Sequence, residues 1–295
     1  MQTVKPRTMS GFLELLPKEQ KVFNSMKEKV ESVLRLNGLA CLDTPILELS
    51  EILLAKAGGE TEKQIFRVIK GDTDMTMRFD LTVPLAKYVS LYKNELTFPF
   101  RRYQIGKVFR GERPQKGRLR EFYQCDADII GDGELPIEAD AEGISILSNI
   151  YTALNVDAEI LVSNRKVLLG LFEEEGLTGK QNEILALLDK CEKMGKDACF
   201  KEVKELAGES AEKIFKIFEM KSLIELKNSG VQNETYKEGV SELEKVLSLL
   251  DVMNVKNAKL NLSIIRGLDY YTGTVFEGRL KEFPAISIGG GGRYE

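Results

Sequence analysis

The spacing of apolar residues changes several times along the chain. From Pro17 to about Asn37, PKEQKVFNSMKEKVESVLRLN carries Val22, Phe23, Met26, Val30, Val33 and Leu34 at helical spacing, and Gly38 supplies the stop. LACLDTPILE follows, with Pro45 setting an extended segment. SEILLAKAGGETEKQIFRVI then reads as a short helix, a Gly58–Gly59 loop and a strand, and GDTDMTMRFD as a turn and a strand. Pro84, just after Thr82, marks the first turn of another helix. QIGKVF and REFYQCDADII alternate polar and apolar residues, the period of half-buried strands. RGERPQKGR between them holds Gly111, Pro114 and Gly117, which predicts a hairpin with a mobile loop.

Beyond the hairpin, IEADAEGISILSNIYTALN predicts a helix and AEILVSN a strand. From about Lys166 to Val252 every segment has a period near 3.6 and none carries motif chemistry. KLNLSII and TGTVFEGRL then return to strands by alternation and β-branching. The tetraglycine Gly289–Gly292, between the apolar strand AISI and Arg293, predicts a place where backbone approaches a ligand closely. The pattern predicts an α/β chain of the α+β kind, an antiparallel sheet flanked by helices. We divide it into a first core part at 1–165, an all-helical insertion at 166–252 and a second core part at 253–295.

Composition narrows the chemistry. The chain has 295 residues, 43% hydrophobic and 30% charged, with a formal net charge of −4. No apolar run reaches the length of a membrane span, and the start lacks a signal-peptide core, so a cytoplasmic protein with no membrane partner is expected. Cys41, Cys125, Cys191 and Cys199 lie too far apart in sequence for a zinc site, and no metal-ligating set is expected. There is no histidine, which excludes Ser–His–Asp and Cys–His catalysis and any imidazole ligand or base. Against the acidic total, Arg101, Arg102, Lys107, Arg110, Arg113, Lys116, Arg118 and Arg120 crowd the hairpin, with Phe122 and Tyr123 among them. Asp126 and Asp128 close its far end. The basic hairpin suits a polyphosphate ligand, and the carboxylates beyond it give the layout of a pocket with a cationic and an anionic end.

RRYQIGKVFRGERPQKGRLREFYQCDADIIG resembles motif 2 of the histidyl-tRNA synthetases, which have the class II aminoacyl-tRNA synthetase fold. RGLDYYTGTVFE is similar to a signature segment of that family, and SIGGGGRYE to the glycine-rich strand after it. The first helix and its proline-bearing strand look like motif 1, which in that family forms the interface of a homodimer. The resemblance implies ATP-dependent, Mg²⁺-assisted activation of L-histidine and its transfer to tRNA(His). It implies that Arg110 bridges the α-phosphate and the substrate carboxylate, that Glu112 accepts from the adenine amino group, and that Phe122 stacks on the base. Arg118 is expected at the β- or γ-phosphate, and Arg266 as the catalytic cation, although an ion pair with Asp269 or Glu277 is the plainer use of that arginine. Asp80 and Thr82 read by type as helix caps; the resemblance gives them the α-amino group. Asp128 and Tyr271 are expected on the two imidazole nitrogens, with Gln124 and Tyr270 lining the site.

Class II motif 3 and the anticodon-binding domain are expected after GGGGRYE but the chain stops at Glu295, so we expect an N-terminal fragment with weakened ATP affinity and sheet integrity. The rival expectation is a regulatory subunit of ATP phosphoribosyltransferase, a histidine-sensing relative of the synthetases. The intact set Arg110, Glu112, Arg118 and Arg266, together with the full basic loop of the hairpin, argues against it, because a sensor has no need to clamp ATP. A ligase for another amino acid is the third, disfavoured by RGLDYYTG.

Overall fold

Leu34 anchors the first helix. α1 (Pro17–Leu36) starts with proline in its first turn, and the Glu19 carboxylate reaches back 3.0 Å to accept from the Leu16 N–H. Leu34 is fully buried and Phe23 lies 4.9 Å from Tyr123, but Val22 and Met26 stay 60% and 46% exposed. The apolar face predicted for this helix is thus covered only in part within its own unit. The computed structural model describes residues 4–55, 64–115, 117–265 and 270–294. The chain forms two compact units, Met1–Leu135 and Pro136–Glu295.

In the first unit, β1 (Ala40–Cys41) lies parallel to β5 (Phe100–Phe109), which pairs antiparallel with β6 (Glu121–Ile130). The register runs unbroken from Phe100↔Ile130 to Phe109↔Glu121. A second sheet sets β4 (Thr73–Met77) between β2 (Leu47–Leu49) and β3 (Arg67–Lys70), all antiparallel. α2 (Ser50–Leu53) follows β2, and α3 (Thr82–Tyr92) follows β4. β5 begins four residues before QIGKVF, and there Arg102 and Tyr103, on opposite faces, are both buried.

The second unit is built on the four-stranded sheet β10 (Ser287–Tyr294), β9 (Tyr271–Leu280), β7 (Ala158–Asn164) and β8 (Ala258–Leu260). α4 (Glu138–Leu154) precedes β7. Then come α5 (Arg165–Glu174), α6 (Gln181–Asp189), α7 (Cys191–Met194), α8 (Lys196–Ala207), α9 (Ser210–Phe218), α10 (Leu223–Lys227) and α11 (Glu234–Val252). Ile160 and Val162 of β7 belong to the same buried cluster as Phe172, Ile184, Ile214 and Leu243 of the helices. The helical stretch and the sheet beside it therefore share one continuous core.

Two expectations need correction. β1 and β8 pair in parallel, so the sheets are mixed rather than wholly antiparallel. KLNLSII is a strand only through Leu260, because the Asn261 carboxamide accepts from the Ser263 N–H at 3.1 Å and turns the chain. The tetraglycine does form a strand against β9, but its close approach is to the chain's own groups. A Cβ on Gly291 would meet the Phe276 ring at 2.8 Å, and one on Gly292 the Thr274 carbonyl at 2.6 Å.

Candidate active site

The ladder of β5 and β6 decides which side chains can meet. Opposite residues in an antiparallel pair share a face, so Arg102 faces Asp128, Gln104 faces Asp126, Gly106 faces Gln124 and Val108 faces Phe122. Arg101 and Lys107 fall on the other face. There Arg101 donates to the Asn37 carbonyl and Lys107 pairs with Glu121 at 2.7 Å. Of the basic residues along β5 and at its end, Arg102 and Arg110 fall on the face that carries Phe122 and Asp128.

At the cationic end, the Arg110 Nε donates to the Phe79 carbonyl at 3.0 Å and its guanidinium lies 5.2 Å from the Phe122 ring centroid. That places a planar cation against an aromatic face, a surface on which a purine and a phosphate can both rest. Arg118 pairs with Glu112 at 3.5 Å. The loop between them is tighter than expected. Gln115 and Arg118 exchange backbone hydrogen bonds around Gly117 at φ +80°, and the Gly11 carbonyl accepts from the Arg120 and Glu121 N–H groups.

At the anionic end stand Asp80, Asp126 and Asp128. Asp80 accepts from the Val83 N–H at 3.1 Å, the capping role expected from its type. Burial pushes its carboxyl above the usual range; the Val83 N–H, Arg110, the Thr82 N–H and Arg102 oppose that rise. Thr82 opens α3 and is half-buried. Among the described residues, the buried Gln124 Oε1 has no hydrogen-bond partner. Asp128 meets Arg102 at 2.6 Å, and that guanidinium is wholly buried, with no partner for Nε or Nη1 among the described residues. The sequence reading counted Arg102 among the basic residues but gave it no role. Its register opposite Asp128 was the available signal, and it needs the strand pairing to be seen.

Arg78, first residue of RFDLT, is 2% exposed and ties the segments together. Its Nε donates to the Lys107 carbonyl at 2.8 Å and its Nη1 to the Thr44 carbonyl at 2.5 Å. Gly106 makes room for it, since a Cβ there would sit 2.5 Å from Nη2. Gln104 is likewise committed, donating to Asp43 at 2.8 Å.

In the second unit, the rings of Tyr270 and Tyr271 lie 4.2 Å apart, with Tyr294 6.1 Å from Tyr270. Arg293 binds Asp140 through two nitrogens, at 3.2 and 2.7 Å. Arg266 and Asp269 lie outside the described residues. Glu277, the other partner considered for Arg266, pairs with Arg279 at 2.8 Å.

Comparison with known proteins identifies the family. The sequence profile described as histidyl-tRNA synthetase matches residues 11–295. The chain is 51% identical over 303 residues to the histidine–tRNA ligase of Clostridium tetani, an alignment covering 99% of the chain and 69% of that protein. The crystal structure of histidyl-tRNA synthetase from Nostoc superposes with a TM-score of 0.91 at 34% identity, over 99% of the chain and 69% of its own. A structure described as an ATP phosphoribosyltransferase regulatory subunit/histidyl-tRNA synthetase from Bacillus halodurans shares the fold, with a TM-score of 0.86 at 20% identity. With a profile match over nearly its whole length and a 51% identical relative, this chain belongs to the histidyl-tRNA synthetase family and has its class II fold.

Proposed function

We propose that the protein is a histidine–tRNA ligase, which activates L-histidine with ATP to histidyl-adenylate and passes the histidyl group to tRNA(His). The observation that carries this reading is the single hairpin face with Arg110 over Phe122 at one end and Asp128 on buried Arg102 at the other. The substrate carboxylate attacks the α-phosphorus, a P–O bond forms, and pyrophosphate leaves with the electrons of the bond it breaks. The nucleophile is ionised at neutral pH, so a chain without histidine needs no base for this step. Catalysis reduces to alignment and to neutralising charge on the phosphoryl oxygens. Arg110 does the latter at the α-phosphate, and family resemblance makes Arg266 the second cation. Magnesium enters on the phosphate oxygens as part of the nucleotide substrate, the ligands this hard cation prefers.

Arg118 swings from Glu112 to the outer phosphates when ATP arrives, which frees the Glu112 carboxylate for the adenine amino group. Asp80 and Thr82 take the α-amino group. Gln124, Asp128, Tyr270 and Tyr271 select the imidazole. The exposed Leu16, Val22 and Met26 of the first helix fit a homodimer contact. Among the described residues no helix is long and apolar enough to cross a membrane, and the cytoplasm is the compartment that supplies these substrates. The regulatory-subunit reading draws on likeness of fold alone.

Pyrophosphate exchange into ATP, run with each of the twenty amino acids, tests the proposal. Exchange with histidine alone is expected. Exchange with a different amino acid, or none with any, refutes it.

A further inference from the structure

The hairpin carries one acidic group that the reaction as described does not use. Asp126 lies between Gln124 and Asp128 on β6, on the face that carries both. The carboxylates beside it and the residue opposite it have partners of their own. Asp128 has Arg102 at 2.6 Å, Asp80 accepts from Val83, and Gln104, directly opposite Asp126, spends its amide on Asp43 and Thr44. Among the described residues, the Asp126 side chain has no hydrogen bond or ion pair of its own, and it is half-buried rather than sealed. A carboxyl held on a binding face with neither water enough nor a partner is an acceptor in waiting.

We propose that Asp126 is a further specificity-determining residue of the amino-acid pocket, a second carboxylate that accepts an N–H of the bound histidine beside Asp128. This rests on the synthetase reading above. The charges facing it are Asp128 on its own strand, Arg102 from β5, Asp80 from the turn before α3, and Arg110 beyond the end of β5. Burial first, and then Asp128, push its carboxyl up to about 7, against the opposing pull of Arg102 and Arg110. Below neutrality the group is a neutral acid. Above it the group is a carboxylate, a stronger acceptor for an N–H donor.

Asparagine copies the shape of the neutral acid but not the carboxylate, which gives a test that a purely structural role would not pass. The kcat/KM for histidine in pyrophosphate exchange is measured from pH 6 to 8.5 for the protein and for Asp126→Asn. Taking the ratio at each pH cancels the substrate's own titration. The ratio is expected near one at pH 6 and to rise to about tenfold at pH 8, the worth of one charge-assisted hydrogen bond, with the KM for ATP unchanged. A ratio that stays flat with pH, or equal losses for ATP and histidine, overturns the assignment of Asp126. Absence of exchange in the unsubstituted protein would instead strike the synthetase reading, so the two failures are distinct.

Discussion

Replacing Arg102 by methionine tests the foundation of the anionic end. The substitution keeps a long side chain in a site with no exposed area, but takes the Arg102 cation away from the Asp128 carboxylate, itself only 14% exposed. At the 2.6 Å separation the gross attraction is about 6 kcal/mol with an effective dielectric constant of about 20. Desolvation offsets much of that, yet removing one member of a buried pair still costs about 3–5 kcal/mol. The loss is expected at the upper end of that range, because Asp80 and Asp126 also lie in the field of Arg102. The chain has no tryptophan, so urea unfolding is followed by circular dichroism at pH 7.5. Asp128→Asn and the double variant complete the cycle. If the pair is what holds the site, the double variant is more stable than Arg102→Met alone by ~2 kcal/mol or more. Additive effects, within about 0.5 kcal/mol, would show that the two groups do not act together and that the reasoning from their geometry is wrong.

Four further outcomes are expected. Asp128→Ala raises the histidine KM at least tenfold and leaves the ATP KM within about twofold, since one buried polar group is left unpaired; equal changes in both, measured by pyrophosphate exchange, would remove Asp128 from the histidine pocket. Arg118→Ala raises the ATP KM with little effect on histidine; an unchanged ATP KM would show that the arginine serves only Glu112. Asp126→Asn stabilises the fold in alkali. A carboxyl whose value rises from 3.8 to about 7 on folding contributes stability below 3.8 and loses it as pH rises through 7. That gap, at about 1.36 kcal/mol per pH unit, bounds the effect at ~4 kcal/mol. With the group half open to water, ~1–2 kcal/mol is expected at pH 8.5 and none at pH 4, and a difference that persists at pH 4 would contradict it. Gly278→Ala lowers the melting temperature sharply, because its Cβ would sit 2.0 Å from the Tyr151 hydroxyl oxygen; a melt within a degree or two of the parent would mean the phenol moves aside freely.

Much of the hairpin was legible because its strands alternate, and alternation fixes which residues share a face once the register is known. Phe122, Gln124 and Asp128 could be placed together for that reason. What the sequence could not convey was the cross-strand partner. Arg102 reads as one more arginine in a basic run until it is set opposite Asp128. Gly106 reads as a flaw in a strand until the Arg78 guanidinium is found over it. The extent of KLNLSII was misjudged because β-branching promises a strand, whereas the single carboxamide of Asn261 turns the chain after Leu260. Parallel pairing at β1 and β8 was beyond reach, since strands of two and three residues carry no periodic signal of their neighbours.

The two-residue repeat of the hairpin also limits how this protein can change its length. Adding or deleting one residue within 102–110 or 122–128 would turn residues of that strand over, so that the face carrying Arg102, Gln124 and Asp128 loses members to the opposite face and gains residues such as Tyr103 or Tyr123 in their place. Natural relatives should therefore vary in size at the tip around Gly117, or by paired insertions, while the arms between keep their length.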